Sequence, residues 1–208
     1  MRTLVTGASR GIGAALMDEG RARGHDMLGT VRTGTGLRLD VTDADMQADV
    51  AAQVGALDLV VCNAGVFPGR GKTLETLTAD DLNATFAANV TGVFLTVQAQ
   101  VRNLSDGGRI AIIASQMGST TQATGDSFAY RASKAAAINL GMSLSDALRG
   151  RGIAVGIYHP GWVRTDMGGE TAAVGVAQSA KGLWDRFEAL DMIRSGAFET
   201  YDGTPHPL

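Results

Sequence analysis

The amino-acid sequence predicts a single α/β domain over residues 1–208: a doubly wound parallel sheet flanked by helices. Three observations carry this expectation. Short apolar runs alternate with longer amphipathic ones along the whole chain. The apolar runs are nearly continuous, as expected of strands covered by helices on both faces. A chain of 208 residues suits one sizeable core better than two.

In chain order, Thr3–Thr6 reads as a buried strand and Ala14–Arg23 as a helix. Asp26–Val31 is a second strand and Gly36–Leu39 a short third. Asp43–Val54 is helical, Leu57–Cys62 a fourth strand, and Thr78–Leu104 a long helical region read as two helices. Gly108–Ala114 is a fifth strand, Phe128–Arg149 a strong helix and Ile153–Tyr158 a sixth strand. Val174–Arg194 reads as a last helix and Ala197–Thr200 as a short final strand. Such alternation gives a parallel sheet with helices on both faces. Right-handed crossovers then place every strand C-terminus at one edge, where ligands bind.

Composition narrows the function classes. Net charge is −3, which gives no electrostatic reason to expect nucleic acid or an anionic membrane as partner. No apolar run approaches the roughly 18 residues of a membrane span. The N-terminus enters a strand directly, so a cytoplasmic protein is expected. The lone cysteine, Cys62, reads as a small buried residue, and the histidines His25, His159 and His206 are scattered, so no metal site is expected.

The first strand ends in Thr6-Gly7-Ala8-Ser9-Arg10-Gly11-Ile12-Gly13, immediately before a helix. Glycines open backbone angles closed to other residues and bring N–H groups close to a ligand. The helix N-terminus adds partial positive charge, so a pyrophosphate fits there. A glycine-rich turn alone is weak evidence; its place between strand and helix marks a dinucleotide-binding (Rossmann) fold. The second strand ends at Val31 without the acidic residue that usually holds the ribose 2′-OH of NAD. Arg32 follows, and Arg10 lies in the glycine turn. Each alone fits a solvated surface residue equally well; together they flank one ribose and point to the 2′-phosphate of NADP(H).

Tyr130 and Lys134 lie four residues apart at the start of the long helix and so share a face. A free phenol titrates near 10, too high for proton transfer at neutral pH. A nearby ammonium favours the phenolate and lowers that value. Taken alone, the pair also fits a surface pair. Ser115, just past the fifth strand, can hydrogen-bond a substrate carbonyl or simply cap a turn. Asn63-Ala64-Gly65 follows the fourth strand, where Asn63 can brace the turn and the backbone can pass the cofactor. Asn89, within an apolar helical stretch, fits either a core amide or a member of a water-held proton path.

These segments, with Pro160-Gly161, resemble the short-chain dehydrogenase/reductase family in order and spacing over nearly the whole chain. Tyr130–Ala136, His159–Gly169, Gly196-Ala197-Phe198 and Tyr201-Asp202-Gly203 resemble its C-factor/sniffer-like carbonyl reductase branch. The resemblance implies that Ser115 polarises a carbonyl and Tyr130 donates the proton. It implies that Lys134 binds the nicotinamide ribose and tunes Tyr130, while Asn89 completes a water relay. It places Asp40 and Val41 against adenine, and Pro160, Gly161, Val163 and Thr165 around the nicotinamide amide. Gln116 departs from the branch after the serine, and His206-Pro207-Leu208 replaces its usual tryptophan near the C-terminus. The segment after Thr165 that normally covers substrate is short.

The expected function is hydride transfer between NADP(H) and a small carbonyl or alcohol substrate. The alternative is a cofactor-binding signalling or regulatory protein of the same fold with little turnover. Residues Leu82–Val101 and Ala129–Leu148 carry small or apolar side chains on more than one face, as buried helices do. The resemblance implies that they pair across a two-fold axis, giving a homodimer or homotetramer.

Overall fold

A computed structural model describes residues 1–208. Its strands are β1 (Arg2–Val5), β2 (Asp26–Val31), β3 (Leu37–Arg38), β4 (Leu57–Cys62), β5 (Leu104–Ile113), β6 (Ala154–His159) and β7 (Phe198–Thr200). They form one sheet in the order β3-β2-β1-β4-β5-β6-β7, and every pairing is parallel. The helices are α1 (Gly11–Ala22), α2 (Ala44–Val54), α3 (Ala79–Phe86), α4 (Gly92–Gln100), α5 (Phe128–Ala147) and α6 (Val176–Ala189). None is long and apolar enough to cross a membrane.

Successive strand residues face opposite sides of the sheet, and both sides are apolar. Leu4, Val60, Ile110 and Val155 join one buried cluster, whereas Val5, Val61, Ala111 and Tyr158 join the other. The first cluster takes Val50 and Val54 from α2 and Val93 and Val97 from α4. The second takes Leu16 from α1 and Leu183, Trp184 and Phe187 from α6. This two-sided burial is why the strands read as continuous apolar runs.

Three expectations need adjustment. The long helical region is α3 and α4 joined by a π-helical segment, Ala87–Thr91, that the apolar pattern does not reveal. The last helix ends at Ala189, not Arg194. There Asp191 Oδ1 accepts from the Ile193 and Arg194 N–H groups, a turn that competes with helix. β5 starts at Leu104, four residues earlier than expected, through Gly107 and Gly108, with a register shift opposite Leu57/Leu59.

The parallel order reverses direction of growth between β1 and β4. That switch point opens a crevice at the strand C-termini, the usual ligand position in such sheets. The turns after β1, β4, β5 and β6 all end there.

Candidate active site

The turn after β1 is shaped for a backbone-bound ligand. Gly7 and Gly11 have positive φ, +68° and +56°. A Cβ on Gly13 would lie 2.2 Å from the Gly7 carbonyl oxygen, so only glycine lets α1 start this close to the turn. Arg10 is the N-cap of α1 and makes no capping hydrogen bond, and the first turn of α1 holds no acidic residue. By contrast Asp43 caps α2 and Thr78 closes a capping box on α3. The first N–H groups of α1, like those of α5 and α6, have no side-chain acceptor, and at α1 they open directly onto the glycine turn, which suits an anion. Asn63 braces the turn: its Nδ2 donates to the Thr6 and Gly7 carbonyls at 2.9 and 3.1 Å. Thr6 Oγ1 in turn accepts from the N–H groups of Asn63 and Ala64, both at 3.1 Å. Ser9 is exposed, and Ile12 packs its side chain on the α1/α6 core.

Around that turn lie the other residues expected to hold a dinucleotide. Arg32 is exposed just beyond β2, close enough to Asp40 to help hold its carboxyl below the usual range. The larger cause is that Asp40 accepts from the N–H and hydroxyl of Thr42, at 3.0 and 2.8 Å. Val41 is buried against Gly92. Gly161 (φ +86°) turns the chain after β6, and the Pro160 carbonyl accepts from Ser179 Oγ at 2.6 Å. Val163 is buried, and the Thr165 methyl reaches the glycine turn, 3.4 Å from where a Gly11 Cβ would lie. Arg10 pairs with Asp166 at 2.5 Å, linking the same two loops. These residues fit a dinucleotide laid across the crevice.

The catalytic candidates converge beside it. Lys134 lies in the buried face of α5, with Nζ donating to the Ile113 carbonyl at 2.9 Å and lying 5.6 Å from the Tyr130 ring centroid. The Ser115 hydroxyl lies near enough to the Tyr130 phenol to favour its ionised form. Its Oγ also accepts from the Met117 N–H at 3.2 Å, so it caps a 3-10 turn as well. The turn-capping reading of Ser115 is therefore realised. Gly118 in that turn packs directly on α5: a Cβ there would lie 2.6 Å from the Lys134 carbonyl carbon. This close contact sets Ser115 against Tyr130.

The electrostatics run opposite to the sequence expectation. Burial pushes the Tyr130 phenol up to about 12, against the weaker opposing effect of the neighbouring Ser115 hydroxyl. Burial also pushes the Lys134 ammonium down to about 8. Lys134 directs its charge at the Ile113 carbonyl, so desolvation outweighs ion–phenolate attraction. At neutral pH the phenol keeps its proton, as a donor must.

Asn89 is a core amide with occupied hydrogen-bonding groups. Its Oδ1 accepts from the Val66 N–H at 2.8 Å, and its Nδ2 donates to the Val66 carbonyl and Ser133 Oγ, both at 3.0 Å. These bonds tie the side chain to the segment after β4 and to α5. Sequence reasoning passed over three further residues. Phe67 stacks on Tyr130 with centroids 4.4 Å apart at 21°. Arg131 bridges Asp126 to the Met117 and Gln122 carbonyls, tying the loop after Ser115 to α5. Gly118 is the third. Phe67 and Arg131 adjoin recognised motifs, but nothing in their type signals a role.

Comparison with known proteins gives the class. The short chain dehydrogenase family matches residues 28–174. C-signal of Myxococcus xanthus is 36% identical over 156 residues, covering 74% of this chain and 93% of that protein. The 3-oxoacyl-acyl-carrier-protein reductase FabG of Escherichia coli is 34% identical over 184 residues, covering 79% and 74%. The NADPH-bound carbonyl reductase from chicken fatty liver superposes with a TM-score of 0.91 at 28% identity, covering 100% of this chain and 98% of that one. The chain belongs to the short-chain dehydrogenase/reductase family, whose members are hydride-transfer oxidoreductases.

Proposed function

We propose that this chain is an NADP(H)-dependent reductase of small ketones or aldehydes, working in reverse on secondary or primary alcohols. The observation that carries the reading is the meeting of Ser115, Tyr130 and Lys134 beside a glycine turn with unpartnered helix N–H groups. Similarity to a carbonyl reductase solved with NADPH supports the cofactor assignment, as do Arg10 and Arg32 and the absence of an acidic residue at Val31.

The glycine turn and the α1 N-terminus would hold the pyrophosphate, with Asn63, Ala64 and Gly65 lining its path. Arg10 and Arg32 would meet the 2′-phosphate, and Asp40 and Val41 the adenine. Pro160, Gly161, Val163 and Thr165 would border the nicotinamide amide, and Lys134 and Tyr130 its ribose. Bound there, the nicotinamide supplies the hydride. Ser115 holds the carbonyl oxygen by a hydrogen bond. As negative charge grows on that oxygen, the Tyr130 phenol gives it a proton. Lys134, the nearest cation, stabilises the phenolate left behind. Asn89 fixes the segment after β4 against the first turn of α5.

The experiment is a panel of carbonyl compounds with NADPH, read as loss of NADPH absorbance. Turnover of at least one ketone or aldehyde is expected. Tight NADP(H) binding without turnover of any carbonyl or alcohol would favour the signalling reading, to which the likeness to C-signal lends weight. We also assign the outer faces of α3, α4 and α5, where Leu82 and Phe94 are exposed, to a homodimer or homotetramer contact across a two-fold axis. A clean monomer in light scattering at micromolar concentration would refute it.

A further inference from the structure

The segment after β4 carries an arrangement that the roles above leave unexplained. Asn89, buried in the π-helical turn, holds both backbone groups of Val66 and at the same time Ser133. The Ser133 hydroxyl donates to the Tyr130 carbonyl at 2.8 Å. One amide thus locks the chain at Val66 to the first turn of α5. The next residue, Phe67, lays its ring on that of Tyr130, 4.4 Å between centroids and 21° from parallel. The Arg70 N–H closes the turn onto the Phe67 carbonyl at 3.4 Å. A π-turn, a buried amide and a closed β-turn all fix where this one ring goes, and such local departures from regular helix recur at functional sites.

We propose that Phe67 is a positioning residue for the proton donor: it fixes the plane of the Tyr130 ring and keeps water off one of its faces. This inference rests on the reading of Tyr130 as donor. The phenol oxygen lies at the far end of a side chain with two torsions, so a small ring rotation moves the proton well away from its acceptor. A misplacement of about 1 Å can cost on the order of a hundredfold in rate. Lys134 is the charged group that faces Tyr130, from α5 itself. The turn after β5 presents the Ser115 hydroxyl, the π-helical turn presents uncharged Asn89, and the segment after β4 presents Val66 and Phe67. Arg131, the next residue on α5, is turned toward Asp126. Shielding by Phe67 is therefore a main contribution to the dry environment of the phenol.

The test compares Phe67→Ala, Phe67→Leu and Phe67→Tyr with the unmodified protein. Phe67→Ala is expected to lower kcat by about ten- to a hundredfold while NADPH binding, followed by fluorescence, stays the same. With water admitted, the phenol ionises more easily, so the high-pH limb of the reduction rate moves to lower pH. Phe67→Tyr keeps the stack and restores both quantities, whereas Phe67→Leu restores neither fully. A second readout needs no turnover. Ultraviolet titration of the cofactor-free protein should show one tyrosine ionising nearer its ordinary value of about 10 in Phe67→Ala, a difference abolished by adding Tyr130→Phe. Unchanged kcat and pH limb in Phe67→Ala would overturn the proposal, and so would equal losses in the alanine and tyrosine variants. If the unmodified protein reduces no carbonyl compound, the proposed function fails, and the titration still decides the shielding: a difference supports it and coincident curves overturn it.

Discussion

At the start of α1 the chain leaves backbone donors without side-chain acceptors, and two arginines nearby reach into solvent. At the start of α5, a short distance along the same sheet edge, Arg131, Ser133 and Lys134 are already hydrogen-bonded, Lys134 is buried and Tyr130 is half-buried. The difference follows from what each end must do. A site for a multiply charged ligand gains from unsatisfied N–H groups and mobile cations, because the ligand supplies the missing partners. A proton donor gains from having its geometry fixed before substrate arrives, since binding energy need not then be used to order it. Breaking the α5 side should therefore damage rate, and breaking the α1 side should damage affinity.

The largest effect is expected from Tyr130→Phe, which removes only the hydroxyl. General acid catalysis by a positioned side chain contributes about 10²–10⁴-fold, so turnover should fall by roughly that factor. Cofactor affinity should fall by no more than the single ribose contact assigned to Tyr130, because the glycine turn is untouched. Ser115→Ala should lower turnover in the same direction with a smaller effect on folding. Parallel measurement of NADPH binding and of carbonyl reduction checks the separation; unchanged turnover with intact binding would remove Tyr130 from the mechanism.

Lys134→Met tests the cost of the buried cation. Burial moves the ammonium from its ordinary 10.5 to about 8. Between those values the unfolded chain binds more protons than the folded one, so the unmodified protein gains stability as pH rises across that window. At pH 7 the cation is retained at a cost of roughly 3 kcal/mol. Methionine removes that cost but leaves the Ile113 carbonyl without its donor, a loss of about 1–3 kcal/mol. The variant should be inactive yet melt a few degrees higher at pH 7, by about 4 °C. Its advantage should shrink toward pH 10.5 as the unmodified protein loses the charge. Thermal melts at neutral and alkaline pH measure this directly; an equal offset at both would show that desolvation of Lys134 is not the cause.

Sequence legibility also divided along these two regions. The glycine turn was readable because Gly7, Gly11 and Gly13 are needed for their backbones, and a backbone requirement leaves a mark in residue type. The doubly wound parallel sheet followed from the alternation of strands and helices. Tyr130, Lys134 and Ser115 were readable as a spaced set. What stayed hidden depends on contacts between distant segments. The π-turn at Ala87–Thr91 carries Asn89, whose amide reaches Val66, and nothing in that segment's sequence predicts the irregularity. Nothing in the sequence around Phe67 marks it, and its role shows only in the stacking of its ring on Tyr130. The pKa directions could not be foreseen either, since spacing gives the proximity of Tyr130 and Lys134 but not their burial.

On the α1 side, Val31→Asp with Arg32→Ala should turn preference toward NAD(H). The new carboxylate would repel the 2′-phosphate and accept from the free ribose. A charge-assisted hydrogen bond contributes about 1.5–3 kcal/mol, so one arginine supports a preference on the order of ten- to a hundredfold. Dissociation constants for both cofactors check this, and equal binding of the two by the unmodified protein would sink the assignment of Arg32.

The smallest effect concerns the pair Arg10–Asp166, which the sequence did not suggest. If Arg10 meets the 2′-phosphate, that phosphate competes with the Asp166 carboxylate for the same guanidinium. Both side chains are about three-quarters exposed, 74% and 77%, so the pair is well screened and contributes about 0–1 kcal/mol. Asp166→Asn removes the competitor and a nearby negative charge without shortening the side chain. NADPH should then bind up to about fivefold tighter, whereas NADH, which lacks the 2′-phosphate, should gain less. The gap should close in high salt, where exposed charges are screened within a few ångströms. If Asp166→Asn instead weakens both cofactors equally, the carboxylate serves to hold the loop after β6 against the glycine turn, where Thr165 already touches Gly11, and its role is in closing the crevice rather than in competing for Arg10.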